Sequence, residues 1–449
     1  MVLAAVAADA AERPNILLVM ADDVGWEAFG CYGGEDYQTP RLDDLAARGV
    51  RFAHCYSTPI CTTSRVQIMT GKYNFRNYTH FGYLDPDEPT FGQLLRSAGY
   101  RTAIAGKWQL NGLYNSLPGH DDPSRVADAG FDEYCLWQVT QGKQTGGERY
   151  WSPLLETHKG PRSAVDNDGL YGPDLMSDFL CEFMTRDDDR PFFAYYPMVL
   201  VHSPFVPTPA SIGDGKKSNK PGESPDSPKT NFAAMVEYMD AIVGRLVDTL
   251  DEAGKLDNTL ILFTADNGTN RKLTSRWNGR DIKGGKGTTP DAGTHVPLIA
   301  YWRGRGPTGV VTDDLVDFTD FYPTLAEAAG ATPPDGHTFD GVSFLPRIRG
   351  ETATPRDWVL CSYQPYWGDR GPDVFARTAE FKLYRDGRLY HVPFDLKEKE
   401  DLAGDIPGGL SAATLSRLKA LVDSCPPLPA EGSRRTVDRP VYPEAELAE

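Results

Sequence analysis

No stretch of this 449-residue sequence is apolar for long enough to cross a membrane as a helix. The seven cysteines (31, 55, 61, 135, 181, 361 and 425) form no CxxC pair and show no zinc-ligand spacing, which excludes a small zinc-stapled module. Their number is odd. With Cys61 set aside, the other six could pair in an oxidising compartment or remain buried thiols. Internal repeats are absent. Cations are in the minority, with 46 Lys+Arg against 63 Asp+Glu and a net charge of −17. Such a surface repels nucleic acid and anionic lipid, and equally a polyanionic substrate. Any anion site must therefore be a local cluster of cations set against the global field.

What is present is enough chain for a large α/β domain and a smaller one. Residues 1–12 are Ala-rich and resemble the end of a secretory signal, without its basic start. They read as a signal remnant or tail, and the expected location is periplasmic or secreted. A continuously apolar run, Asn15–Met20, predicts a buried parallel strand entering Ala21-Asp22-Asp23. Helices are expected over 41–49, behind Thr39-Pro40, over 61–69, with Thr62, Thr63 and Ser64 as capping candidates and Gly71 as stop, and over 90–98. Strands are expected at 101–105 before Gly106-Lys107, at 192–201 ending at His202, at 259–264 before Asp266-Asn267-Gly268, and at 296–302. Residues 112–170 read as loop insertions over the sheet and 204–230 as a long surface loop. Helices at 231–254 and 317–329 complete the alternation. The fold class is α/β: a large doubly wound mixed sheet with helices on both faces, spanning 13–345. A smaller C-terminal α+β subdomain with a short antiparallel sheet follows over 346–425. It carries a hairpin turning at Asp386-Gly387 and a helix near 411–422. Residues 426–449 read as a surface tail.

Three expected strands end in polar residues: Asp22-Asp23, His202 and Asp266-Asn267. Ligands of open α/β sheets bind beyond the carboxyl ends of strands. Asp22, Asp23, Asp266 and Asn267 are hard oxygen donors suited to Ca²⁺ or Mg²⁺. One such Asp alone would read as a turn or cap, but two sites at strand ends read as a metal site. Cys61 opens a helix, where N–H groups and the dipole favour an anion. Arg65 lies one turn on and is expected to reach back as an oxyanion clamp. Six cations (Arg271, Lys272, Arg276, Arg280, Lys283 and Lys286) fall between 271 and 286 with only Asp281 opposing. They read either as an attractor for an anionic substrate or as a solvated basic loop.

The run Cys61-Thr62-Thr63-Ser64-Arg65, followed by Thr70-Gly71-Lys72, resembles the sulfatase signature Cys-x-Pro-Ser-Arg-x-x-x-x-Thr-Gly of the alkaline-phosphatase superfamily. Supporting motifs are Asn15-Ile16-Leu17 through Asp22-Asp23, Gly106-Lys107-Trp108, His202-Ser203-Pro204, Asp266-Asn267-Gly268, Gly284 to Thr289, and Phe381-Lys382-Leu383 with Leu389-Tyr390. The resemblance implies that Cys61 is oxidised to formylglycine by a formylglycine-generating or sulfatase-maturing enzyme. The hydrated aldehyde would complete a metal site with Asp22, Asp23, Asp266 and Asn267, attack sulfur and release sulfate. Lys107, Lys286, Arg65 and His202 would bind sulfate oxygens, with His202 also a general acid for the leaving alcohol. Thr63 stands where the signature has Pro or Ala. Gln109 stands where the family has His, and keeps a substrate-binding role here. His295 falls in an altered Gly-Thr-His-Val-Pro stretch as a second substrate-binding candidate. The implied substrate is a sulfated small molecule or glycan. The rival readings are a phosphodiesterase or phosphonate monoester hydrolase on the same scaffold, and a non-catalytic glycan-binding relative.

Overall fold

The structure is a computed structural model describing residues 13–142, 148–213, 217–219, 226–366 and 371–426. The expected signal remnant and nearly all of the expected tail lie outside the described residues.

Ten strands build the main sheet: β1 (Asn15–Ala21), β2 (Val50–Tyr56), β3 (Arg101–Lys107), β4 (Glu133–Trp137), β5 (Leu155–Thr157), β6 (Gly160–Arg162), β7 (Phe192–Pro197), β8 (Thr259–Ala265), β11 (His295–Tyr301) and β12 (Val310–Asp317). A two-stranded hairpin, β9 (Thr274–Trp277) and β10 (Arg280–Lys283), stands apart. The order across the main sheet is β12-β2-β11-β8-β1-β7-β3-β4-β5-β6. β8, β1, β7, β3 and β4 run parallel, so their carboxyl ends share one edge. β11 is antiparallel to both β8 and β2, which returns β2 to the common direction. Ile16 to Ala21 and Leu260 to Ala265 are essentially inaccessible. Covered on both faces, these strands need no apolar–polar alternation, and that is why they were legible as continuous runs.

Four expectations are corrected. Residues 112–170 are not only loop insertions, because β4, β5 and β6 extend the sheet there. The strand expected over 192–201 stops at Pro197, which has no N–H to carry the ladder on. Beyond it the chain wraps Asp22, with Asp22 N–H donating to Leu200 O at 2.8 Å and Val201 N–H to Asp22 O at 2.7 Å. Asp317 ends β12, and its carboxylate caps the turn Phe318–Asp320 ahead of helix Phe321–Ala329. β12 was hidden by Thr312, Asp313 and Asp314 and by an irregular register with β2. The expected caps Thr62, Thr63 and Ser64 lie inside helix Cys61–Thr70, whose N-cap is Ile60 with no side-chain cap.

The C-terminal part is a four-stranded antiparallel sheet of β13 (Val359–Tyr363), β14 (Asp373–Arg377), β15 (Phe381–Tyr384) and β16 (Leu389–His391). Helix Ala412–Ser424 buries Leu418, Leu421 and Val422 in one cluster with Val374, Ala376 and Leu383. All seven cysteines are free thiols. Among the described residues no helix is long and apolar enough to cross a membrane.

Candidate active site

Register places the acidic residues together. Ala21 pairs with Ala265, so the residues that follow, Asp22 and Asp266, leave the sheet side by side. Asp23 adopts a left-handed φ of 64°. Its N–H donates to Asp266 Oδ1 at 3.1 Å, and Asn267 Nδ2 donates to Asp23 Oδ1 at 2.9 Å. Strand β3 delivers Lys107 beside them. This close approach requires glycine at 106, because a Cβ there would lie 2.0 Å from Pro197 O. Lys107 Nζ sits 2.9 and 3.1 Å from the two Asp22 oxygens. Lys286 Nζ donates to Asp23 Oδ2 at 2.6 Å.

Arg65 does not reach back to Cys61. Its Nε and Nη2 donate to Asp266 Oδ2 at 3.1 and 2.8 Å, and Nη1 to Lys107 O at 3.2 Å. Lys107 and Arg65, each 1% exposed, therefore stand behind the carboxylates and orient them, rather than forming the cleft wall.

Asp22, Asp23 and Asp266 are fully buried. Burial raises all three, and the outcome depends on neighbours. For Asp22 burial is outweighed by Lys107, His202 and Arg65, and the group stays ionised well below the carboxylate range. Asp23 is also lowered, by His202 and Lys286 against burial. Asp266 is raised, by burial and the charge of Asp22, which Arg65 only partly offsets. Side-chain cations thus offset much of the repulsion among these carboxylates, though Asp22 still raises Asp266. The donor set still suits a metal. Asp22, Asp23 and His202 offer ligand atoms all within 4.8 Å of one another. Asn267 Oδ1 is buried with no hydrogen-bond partner among the described residues, a hard oxygen that a divalent cation would satisfy.

His202 is half-buried, and its pKa falls to about 3, through desolvation first and then Lys286 and Arg149, against the pull of Asp23. Nδ1 lies 2.6 Å from Ser203 O and so carries the proton. That leaves Nε2, 3.5 Å from Asp23 Oδ2, as an acceptor.

Cys61 is 2% exposed and begins its helix at the floor of a cleft of about 1040 Å³. Its Sγ lies 3.9 Å from Gln109 Oε1. Gln109 has φ 53° and is fixed by hydrogen bonds to Tyr114 and to Gln138, whose φ is 58°. Left-handed backbone at two meeting residues is the kind of strain a site retains. Thr63 is fully buried and donates to Ile60 O at 2.8 Å. Phe81, Tyr114, Phe205 and Tyr366 supply aromatic wall, and Arg149, His202 and Lys286 polar wall. His295 does not enter the cleft. Its ring stacks on Trp26 at 4.6 Å and Nε2 meets Ala53 O at 2.9 Å.

Sequence reasoning missed Arg149, Gln138 and Tyr114. Arg149 lies 4.0 Å over the Trp137 ring with Nη1 3.9 Å from Asp22 Oδ2. The one available signal was Tyr134 to Trp137, an apolar run ending at Gln138 on the same sheet edge as the other strand-end residues.

Three buried carboxylates, four cations and a helix-start cysteine suit an ester whose head is anionic, and the class so defined is a hydrolase of anionic esters on an α/β sheet. Residues 14–331 match the family described as sulfatase. Human arylsulfatase A is 31% identical over 411 residues, covering 83% of this chain and 75% of that protein. Dog N-acetylgalactosamine-6-sulfatase is 30% identical over 403 residues, covering 83% and 71%. The crystal structure of Ps i-CgsB in complex with k-i-k-neocarrahexaose is similar with a TM-score of 0.71 at 26% identity, covering 87% of this chain and 89% of that one. The chain belongs to the sulfatase family and is a sulfuric ester hydrolase, a family that generally uses formylglycine and a divalent metal.

Proposed function

We propose that this enzyme hydrolyses sulfate esters of carbohydrates, with Cys61 converted to formylglycine and a Ca²⁺ or Mg²⁺ ion held by Asp22, Asp23, Asp266 and Asn267. The observation that carries the reading is Cys61 at the start of its helix, on the floor of a cleft shared with Lys286, His202 and Arg149. When formed and bound, the aldehyde hydrate supplies the nucleophilic oxygen and the metal lowers its pKa.

The protein's own residues do the rest. Lys286 and Arg149 face the cleft and offset charge that builds on the sulfate oxygens. Arg65 and Lys107 hold Asp266 and Asp22 in their ligating orientation. His202 Nε2 accepts a proton from a reacting hydroxyl, and Gln109 orients one without titrating. The aromatic wall supports a sugar ring as the leaving group, and the structural relative crystallised with neocarrahexaose supports the same class. The reading includes an activating partner enzyme for Cys61 and an exported location.

Parallel assays on an aryl sulfate and an aryl phosphodiester test it. Sulfate release is expected to dominate in kcat/KM. Faster phosphodiester cleavage would overturn the assignment in favour of a phosphodiesterase.

A further inference from the structure

The cations between 271 and 286 separate by role in the structure. Lys286 belongs to the acidic cluster. Arg276 is neutralised by Asp281 at 3.0 Å and Glu35 at 3.7 Å. Arg280 and Lys283 stand on the β9–β10 hairpin, where Arg280 lines a separate groove with Phe394. Arg271 and Lys272 remain. Both line the Cys61 cleft, both are exposed, and neither side chain has a carboxylate partner among the described residues.

They are held in place from behind. Lys272 N–H donates to Asn270 Oδ1 and Leu273 N–H to Asn270 O, each at 3.0 Å, and Leu273 is buried. Thr269 O accepts from Lys286 N–H at 3.0 Å and Leu273 O from Gly284 N–H at 3.0 Å. The segment that presents the two cations is therefore tied to the loop that carries Lys286. The same cleft is lined by the half-buried and buried groups at Cys61, His202 and Lys286, by the aromatic side chains of Phe81, Tyr114, Phe205 and Tyr366, and by the two exposed cations. In a protein of net charge −17, two unneutralised cations on an ordered loop at one mouth form a local positive field.

We propose that Arg271 and Lys272 form a subsite for a second anionic group of the substrate, a carboxylate or a second sulfate on the same sugar or its neighbour. This rests on the sulfatase reading and specifies it: the preferred substrate carries a second anionic group in addition to the sulfate ester. Arg271 offers a bidentate fork and Lys272 a point charge, so the pair accepts either oxyacid. The cleft has room for more than one sugar ring.

The test compares wild type with the R271Q/K272Q variant, both at exposed positions. The substrates are 4-nitrophenyl sulfate, a panel of monosulfated hexosamines, and the same sugars bearing a second sulfate or joined to a uronate. Wild type is expected to favour at least one doubly anionic member over its monosulfated parent. The variant is expected to lose about tenfold to a hundredfold of kcat/KM on that member, mainly in KM, with 4-nitrophenyl sulfate changed by less than about twofold. The salt sensitivity of KM should shrink in parallel. Second-sulfate and uronate arms separate the two sources of the anion. Equal losses on all substrates, no loss on any, or no wild-type gain from any second anion would overturn the subsite while leaving sulfatase activity intact. A wild type that released sulfate from nothing in the panel would overturn the sulfatase reading, and the subsite with it.

Discussion

Gln109 and His202 divide work that a pair of titrating side chains could share. Gln109 is pinned between Tyr114 and Gln138 and cannot take a proton, whereas His202 presents a free Nε2. The variant His202→Ala is therefore expected to lose about 10²–10⁴-fold in kcat, and Gln109→Ala far less. Steady-state kinetics on one aryl sulfate would show this, and equal losses would contradict it. A second residue-scale prediction concerns Glu27. It is buried, Thr269 donates to one carboxyl oxygen, and the other has no partner among the described residues. Burial raises its pKa from 4.5 to about 7. A raised carboxyl favours the folded state while protonated. Its contribution is complete below pH 4.5 and fades as pH rises through about 7, a change of about 3 kcal/mol. The melting temperature of wild type should thus fall from pH 5 to pH 8 relative to Glu27→Gln, and parallel profiles would refute it. Asp22, Asp23, Asp266 and Asn267 were legible because they end buried apolar strands. Glu27 and Arg149 were not, because their burial comes from distant segments that no local pattern names.

At the scale of elements, the loop carrying Lys286 is held from two sides. Gly287 N–H donates to Pro59 O at 2.7 Å, next to the Cys61 helix. From the C-terminal sheet, Lys382 Nζ donates to Thr289 O at 2.5 Å, Tyr384 Oη to Thr289 Oγ1 at 3.0 Å, and Arg377 Nη1 to Asp291 Oδ1 at 2.5 Å. Lys382 is fully buried and also meets Glu398 at 2.8 Å. The motif Phe381-Lys382-Leu383 was legible in the sequence, but its tie to a loop some 90 residues earlier was not, because side-chain to main-chain bonds across domains leave no spacing to read. Lys382→Met should cost about 3–5 kcal/mol by removing the cation beside Glu398, which keeps only the hydrogen bond from Tyr384 Oη. Adding Glu398→Gln should recover most of the melting temperature but not the turnover, since Thr289 O still lacks its donor. Full recovery of turnover in the double variant would show that the sheet stabilises the fold without placing the loop.

For the whole molecule, free thiols and a large acidic surface set the terms. All seven cysteines are unpaired, and stability rests on the apolar cores of the two sheets. A reductant is therefore expected to leave the melting temperature unchanged, where loss of a native disulfide would remove about 2–5 kcal/mol. The central claim, that Cys61 is the precursor of the nucleophile, is tested most directly by mass spectrometry of the tryptic peptide between Arg51 and Arg65 in protein that turns over an aryl sulfate. This peptide holds Cys55 and Cys61. One alkylated cysteine, at Cys55, and an aldehyde at position 61 that reacts with a hydrazide are expected. Two alkylated thiols throughout an active preparation would contradict the account.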